Sequence, residues 1–228
     1  FSVPAGSLRF WQDRLAAHGV EATAGRPRFD DEVLAFRDPS GLMFEVVASR
    51  DDDRRSWQST VAGDSAIRGL HSVTLLVHSP QATVDLMTRV LSFATGDEME
   101  GRIRVAVNGA RPGHFIDILH DDHASPAKNG IGTVHHVALA IETDAQQLAL
   151  REELVGLGVR VTEVRDRQYF KSIYFREPGG VLFEVATMAP GFIVDEDLRS
   201  LGRDLKLPPW EEPLRQAIED HLPRVSYV

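Results

Sequence analysis

The chain contains one stretch of sequence twice: residues 33–48 read VLAFRDPSGLMFEVVA, and residues 172–187 read SIYFREPGGVLFEVAT. In each copy an alternating run of apolar and polar residues reaches a turn rich in Pro and Gly. A second alternating run then carries one carboxylate among apolar neighbours, Glu45 or Glu184. This pattern predicts a β-hairpin used twice, and a repeated unit indicates a domain built by duplication. Residues that differ between the two copies are therefore the candidates for function. Only the second copy is preceded by adjacent histidines.

Length and composition narrow the classes of function. The chain has 228 residues, 43% of them hydrophobic, which suits one large domain or two small ones. A net charge of -9 without a long basic stretch argues against nucleic-acid binding, which depends on clustered Lys and Arg. There is no apolar run of membrane-spanning length, and the opening FSVPAGSLRF lacks the order of a signal peptide. We expect a cytoplasmic protein that binds a small molecule, with no nucleic-acid or membrane partner.

The absence of cysteine limits the chemistry. It excludes disulfides, thiolate metal ligands and a cysteine nucleophile. Any metal site in this chain would therefore have a shell of nitrogen and oxygen from His, Asp and Glu.

The hydrophobic pattern predicts the order strand-helix-strand-strand-strand (βαβββ) along most of the chain. From residue 131 onward it predicts a helix and four strands: Val134–Ile141, helix Ala145–Leu157, Val159–Val164, Ser172–Arg176 and Leu182–Thr187. Residues 68–120 repeat this order, with a first strand at His71–Val77 and a helix at Gln81–Leu91. The first 49 residues start with a helix, about Ala5–Ala17, so we expect an amino terminus truncated by at least one strand, with an N-terminal module missing.

These patterns predict an α+β protein built from repeated modules. We expect the following divisions: 1–50, an incomplete module that is the second half of a truncated N-terminal domain; 51–67, a linker; 68–187, a C-terminal domain of two modules (68–128 and 129–187); and 188–228, an arm with a helix over Glu212–His221. Apolar residues of the arm suit either a cover over the core, which we favour, or an oligomer contact: Leu198, Leu201, Leu205, Trp210 and Ile218.

The strand with the histidine pair is the candidate for chemistry. Alternation sends His136 to one face of the strand and His135 to the other. Glu184, on the last strand of the same module, needs a cation, a metal or several hydrogen-bond donors if it is buried. His136 and Glu184 suit two ligands of a two-histidine, one-carboxylate set, the arrangement typical of non-haem Fe(II) oxygenases. The alternative is an arginine partner for Glu184 and a core role for His136, and spacing alone does not decide. Glu45, without a histidine partner, is interpreted as structural.

Repeated βαβββ units with HHVAL at 135–139 and FEVAT at 183–187 resemble the vicinal oxygen chelate superfamily, which includes glyoxalases, fosfomycin resistance proteins, bleomycin-binding proteins and extradiol dioxygenases. The resemblance covers nearly the whole chain and implies mixed sheets curled around a metal cleft, with helices outside. Four segments look more specifically like the ring-cleaving hydroquinone dioxygenases of that superfamily: AIRGLHSVTL, GTVHHVALAI, DRQYFKSIYFREPGGVLFEVAT and LPPWEEPLRQAIEDHLP.

The resemblance also implies roles for particular residues. It implies metal ligands at His136 and Glu184 and catalytic roles for His135, Arg167 and Tyr174. Arg167 would hold a phenolate by charge-assisted hydrogen bonds, and Tyr174 and His135 would exchange protons with bound oxygen or substrate. The alternatives are an ion pair of Arg167 with Asp166 or Glu163, and a packing role for Tyr174.

The third ligand of such a set is not evident in the sequence. In the family it lies on the first strand of the first module, and this chain has no such segment. His71 is the alternative, but in HSVT against HHVA it matches His135, and Ser72 takes the place of His136. Asp117 likewise replaces Glu184, so we expect a degraded site in residues 68–128.

The function implied by the resemblance is an Fe(II)-dependent dioxygenase, with Mn(II) as the alternative metal, that opens the ring of a hydroquinone or another aromatic diol with O₂. Two alternatives stay open: a metal-dependent glyoxalase-like isomerase or thiol transferase, and a non-catalytic protein that binds aromatic ligands. The sequence leaves the oligomeric state open, although exposed edges of a truncated module would favour association into a homo-oligomer.

Overall fold

The predicted βαβββ order recurs three times in the computed structural model, which describes residues 1–25, 28–56, 60–61, 63–124 and 128–223. The remaining residues belong to the predicted first module, linker, second module and arm, and lie outside the described residues: 26–27, 57–59, 62, 125–127 and 224–228. Every helix in the described part of the chain is too short or too polar to span a bilayer.

Three modules supply the strands and most of the helices. The first contains β1 (Ser2–Pro4), α1 (Leu8–Ala17), β2 (Ala22–Ala24), β3 (Glu32–Arg37) and β4 (Met43–Ser49). The second contains β5 (Ser72–Val77), α2 (Pro80–Arg89), β6 (Ala94–Met99), β7 (Arg102–Ala106) and β8 (Phe115–His120). The third contains β9 (Val137–Ile141), α3 (Asp144–Gly156), β10 (Arg165–Asp166), β11 (Lys171–Arg176) and β12 (Leu182–Thr187). Short 3₁₀ turns at Phe192–Val194 and Glu212–Leu214 and the helix α4 (Arg215–His221) follow.

Each module forms an open four-stranded sheet in which its first strand lies beside its last. The strand orders are β1-β4-β3-β2, β5-β8-β7-β6 and β9-β12-β11-β10. β1 pairs parallel with β4 and β5 with β8, whereas the strands that follow one another in sequence pair antiparallel. The prediction of an α+β fold from repeated βαβββ modules is confirmed.

The start of the first module differs from the predicted helix. Residues Ser2–Pro4 form a short strand, and Gly6 has φ 84°, so a right-handed helix cannot run through it. The helix α1 therefore begins at Leu8 instead of Ala5.

The predicted strand Val159–Val164 is wrong. Val161 makes only an isolated bridge to Phe175, and the regular strand β10 begins at Arg165. Side chains take bonds that a ladder would need: Thr162 Oγ1 accepts the N–H of Tyr174 at 3.0 Å, and Arg151 Nε donates to the carbonyl of Thr162 at 2.8 Å.

The chain divides into two compact units: Phe1–Val137 with Arg176–Leu182, and Ala138–Phe175 with Phe183–Val228. In the first unit the first and second modules are joined by backbone bonds, from Ser2 N to Gly69 O at 2.8 Å and from Arg68 N to Ser2 O at 2.9 Å. The indole of Trp11 adds a bond to Ser65 O at 2.8 Å. The division of the chain expected from the sequence, with a linker at 51–67, stays a prediction.

The second unit has its core between α3 and the sheet. Five apolar side chains from α3, β11 and β12 are buried there: Leu154, Ile173, Phe175, Phe183 and Val185. A capping box of Thr143 and Gln146 starts α3, and the buried amide of Gln147 donates to the carbonyls of Lys171 and Val185. The helix is therefore tied to both strands that carry the candidate site residues.

The arm does not cover the core as expected. Four of its apolar side chains are exposed: Leu198, Leu201, Leu205 and Trp210. Local polar bonds hold the turns that carry them, such as Gly202 N to Glu196 Oε2 at 3.1 Å and Arg215 Nη1 to Leu205 O at 3.2 Å. Because these bonds close the turns, the backbone is satisfied without burying the side chains.

Candidate functional site

Glu184 is a buried carboxylate in the middle of β12. Only 4% of the residue is exposed, and its neighbours Phe183 and Val185 point into the apolar core on the other face. Its Oε1 accepts hydrogen bonds from two hydroxyls of β11, Ser172 and Tyr174, the latter at 2.8 Å. Donors of this kind are what a buried carboxylate requires, and they add no positive charge.

Tyr174 links Glu184 to Arg167. Arg167 Nε donates to the Tyr174 hydroxyl at 3.3 Å, and the centre of its guanidinium lies 5.5 Å from the centroid of the tyrosine ring. Arg167 N donates to Phe170 O at 2.9 Å, and Gln168 has φ 66°, so the tight turn between β10 and β11 aims this side chain. The structure thus brings Arg167, Tyr174 and Glu184 together in a continuous polar chain.

The expected alternative partners of Arg167 are bonded elsewhere. Asp166 accepts the N–H of Gln168 at 2.7 Å, and Glu163 forms an ion pair with Arg151. Arg167 is therefore better described as a hydrogen-bond donor to Tyr174 than as the ion-pair partner of either carboxylate.

The histidine pair does not alternate as predicted. The regular strand β9 starts at Val137, after both histidines, because the side chain of Asn129 binds the carbonyl of His135 at 2.7 Å. The two rings lie on the same side of the chain, with His135 Nδ1 2.7 Å from His136 Nδ1 and an interplanar angle of 86°. One Nδ1 donates and the other accepts, so the two imidazoles share a proton. His135 is exposed and His136 is half-buried.

The topology relates His136 to Glu184. β9 is the neighbour of β12 in the third sheet, so His136 directly precedes the strand next to the one that carries Glu184. Among the described residues, no group of three or more His, Asp and Glu side chains is placed to hold a metal ion. Imidazole nitrogen and carboxylate oxygen are ligand types that suit a divalent transition metal.

The second module carries a different set of charges at the corresponding place. Asp117 is fully buried and accepts bonds from Arg104 Nε at 2.8 Å and Arg104 Nη2 at 3.1 Å. Arg102 Nη1 lies 3.4 Å from the same carboxylate, and Arg104 also donates to Asp31 at 3.0 Å. Arginine side chains therefore neutralise the carboxylate, and the expectation of a degraded site stays a prediction.

His71, the alternative third ligand, is held inside the first unit. It is 1% exposed, its ring stacks at an angle on Phe115, and its Nε2 lies 3.6 Å from Asp31. Burial lowers the pKa of His71 to about 4, aided by the charge of Arg104 and opposed by Asp31. This histidine is neutral at neutral pH and is fully occupied by local contacts.

Glu45 has an arginine partner, in line with its structural interpretation. It forms an ion pair with Arg28, whose Nη1 also lies 3.7 Å from Asp117. The first-module carboxylate is thus joined to the arginine cluster of the second module.

Sequence reasoning missed Ser172. It lies two residues before Tyr174 on β11, and alternation therefore places both side chains on one face of the sheet. That spacing was available in the sequence, but a lone serine in an apolar strand gives no chemical signal.

Residues 69–185 match the family described as the Glyoxalase/Bleomycin resistance protein/Dioxygenase superfamily. The chain belongs to this superfamily. The resemblance inferred from HHVAL and FEVAT is confirmed.

Relatives within the superfamily are named as ring-cleaving enzymes. The chain is 37% identical over 229 residues to "Putative ring-cleaving dioxygenase MhqE" of Bacillus subtilis (strain 168), covering 99% of this chain and 73% of that protein. It is 31% identical over 226 residues to "Chlorohydroquinone/hydroquinone 1,2-dioxygenase" of Sphingobium indicum, covering 96% of this chain and 70% of that protein. A crystal structure of a "putative dioxygenase" from Bacillus subtilis matches with a TM-score of 0.91 and 36% identity, over 99% of this chain and 72% of that one.

Proposed function

We propose that this chain carries the catalytic residues of a non-haem Fe(II)-dependent dioxygenase that opens the ring of a hydroquinone or a related aromatic diol with O₂. The observation that carries the proposal is the buried carboxylate of Glu184, held by two neutral hydroxyls beside the strand that follows His136. Similarity to relatives named as ring-cleaving dioxygenases, one of them for hydroquinones, supports the reaction and the substrate class. Mn(II) is the alternative metal.

His136 and Glu184 are the proposed metal ligands. A carboxylate that accepts hydrogen bonds from hydroxyls can also bind a cation, and an imidazole supplies the second ligand type that Fe(II) accepts. When bound by these residues, Fe(II) would lower the pKa of a substrate hydroxyl and supply electrons to O₂.

Arg167 and Tyr174 are proposed to orient the substrate and to move protons. The guanidinium of Arg167 carries a fixed positive charge and can hold a substrate phenolate by charge-assisted hydrogen bonds. Its bond to the Tyr174 hydroxyl leaves that hydroxyl oriented toward Glu184, at 2.8 Å. By this proposal the Tyr174 hydroxyl exchanges a proton with the substrate.

His135 is proposed as the base in contact with solvent. Its ring is exposed and shares a proton with His136 through their Nδ1 atoms. An imidazole nitrogen can accept a proton from the second hydroxyl of a diol and release it to water.

The test is oxygen uptake after anaerobic loading with Fe(II), with hydroquinone as substrate and the ring-opened product identified by mass spectrometry. Consumption of O₂ with incorporation of both ¹⁸O atoms into one product is expected, and Arg167→Lys should lower kcat/KM more than it lowers metal content. A loaded protein that consumes no O₂ but isomerises glyoxalase-type substrates would replace this proposal with the isomerase alternative.

A further inference from the structure

The three modules hold their sheet carboxylates in three different ways. In the second module Arg104 stands directly opposite Asp117 in the ladder, and both Arg104 and Arg102 approach its oxygens. In the first module Ala35 stands opposite Glu45, so that neither this residue nor Val33 can donate a hydrogen bond from its side chain.

The third module has hydroxyl groups at these positions. The sequence repeat aligns Ser172 with Val33 and Tyr174 with Ala35. Both hydroxyls donate to the same oxygen of Glu184. In the third module the donors from β11 are thus hydroxyls, whereas in the second module the donors from β7 are two arginines.

We infer that Ser172 is a positioning residue that fixes the carboxylate of Glu184 for metal binding, an inference that rests on the proposed function. Ser172 is fully buried, and its short side chain keeps the hydroxyl close to the backbone. The strand itself therefore sets the position of the donor. Two donors on one oxygen fix the rotation of the carboxylate plane. Partners of this kind orient metal ligands, and their removal typically weakens metal binding.

The first experiment compares crystal structures of the metal-free wild type with Ser172→Ala and Ser172→Thr. Removal of the hydroxyl is expected to let the Glu184 carboxylate rotate or adopt several orientations. The threonine variant, which restores a hydroxyl, is expected to show the wild-type orientation. An unchanged carboxylate in Ser172→Ala would overturn the positioning role without reference to any metal.

The second experiment measures the affinity for Mn(II) by electron paramagnetic resonance of the free ion. Ser172→Ala is expected to weaken binding by about 10–100-fold, and Ser172→Thr to restore it. Ser200→Ala serves as the matched control, because it deletes the hydroxyl of a half-buried serine in the arm that donates to the nearby carbonyl of Asp197. Its affinity is expected to equal that of the wild type.

The outcomes separate the inference from the function on which it rests. Equal affinity in Ser172→Ala and the wild type would overturn the inference and leave the metal centre intact. Failure of the wild type to bind Mn(II), with Glu184→Gln indistinguishable from it, would overturn the metal centre and the ligand-positioning role together. Weak binding in both Ser172→Ala and Ser172→Thr, with wild-type carboxylate orientation in their crystals, would also overturn the inference.

Discussion

The tip of the second hairpin is fixed by a buried carboxylate, and its removal gives a measurable loss of stability. Glu177 is 2% exposed and accepts three hydrogen bonds: from the hydroxyl of Thr83 at 2.6 Å and from the N–H groups of Gly179 and Val181 at 2.8 Å each. Thr83, on α2, is fully buried. Glu177→Ala therefore leaves the buried hydroxyl of Thr83 without this acceptor. It also removes the acceptor of two N–H groups at a half-exposed turn.

The size of the expected loss of stability follows from these three hydrogen bonds. A buried donor that loses its acceptor costs about 1–3 kcal/mol, and water can replace part of what the turn N–H groups lose. We expect Glu177→Ala to lower the free energy of unfolding by about 3 kcal/mol. For a chain of this size that corresponds to a fall of roughly 6–12 °C in Tm.

The first hairpin supplies the matched control. Asp38 accepts the N–H groups of Ser40 and Leu42 at 2.9 and 2.8 Å, the same turn bonds without a buried threonine. Asp38→Ala is therefore expected to cost only about 1 kcal/mol. Urea unfolding followed by circular dichroism measures both variants.

A double-mutant cycle isolates the buried bond. Thr83→Val removes the hydroxyl with little change of shape, so Thr83→Val combined with Glu177→Ala should cost less than the two single changes added, by about 1–2 kcal/mol. Additive losses, or a Glu177→Ala variant no less stable than Asp38→Ala, would refute this account of the turn.

Three further predictions use other contacts. A Cβ at Gly179 would lie 2.4 Å from Cγ1 of the buried Val77, so Gly179→Ala should lower the free energy of unfolding by about 1–3 kcal/mol. Gly130 has open space around it, so the control Gly130→Ala should change that free energy by less than about 0.5 kcal/mol. Urea titrations of both variants in parallel measure the difference. The pKa of His71 is lowered to about 4 in the folded protein, below the value near 6.5 expected after unfolding. The unfolded state therefore gains a proton first as pH falls from about 6.5 to 4, and the wild type should lose up to about 3 kcal/mol relative to His71→Gln over that window; parallel curves of stability against pH for the two proteins would show that His71 is not held neutral. Tyr174→Phe removes one donor to Glu184 and the link to Arg167, so at saturating Fe(II) it should slow turnover at least about 10-fold, and unchanged turnover would exclude Tyr174 from the reaction.

The hairpins were predictable because their signals are local. Alternation and turn residues fix both strands and the turn, and β12 has the predicted bounds Leu182–Thr187. The segment at Val159–Val164 has the same alternation but no regular ladder. There the deciding bonds come from the side chains of Thr162 and Arg151, whose positions depend on tertiary structure.

The candidate site was predictable in its residues and less so in its geometry. Arg167, Tyr174 and Glu184 were expected near one another, and the structure places them in one hydrogen-bonded chain. The orientation of the histidine pair was not predictable, because a contact from Asn129 decides where β9 begins. The arginine cluster around Asp117 also depends on partners that are distant in sequence.

The most direct test of the proposed metal centre is iron content. The chain is incubated anaerobically with Fe(II), excess metal is removed, and iron per chain is measured by elemental analysis for the wild type, Glu184→Ala and the control Glu45→Ala. The account predicts stoichiometric iron in the wild type and in Glu45→Ala, and loss of iron in Glu184→Ala with an unchanged circular dichroism spectrum. Iron retained in Glu184→Ala at the wild-type level, or absent from the wild type, would contradict it.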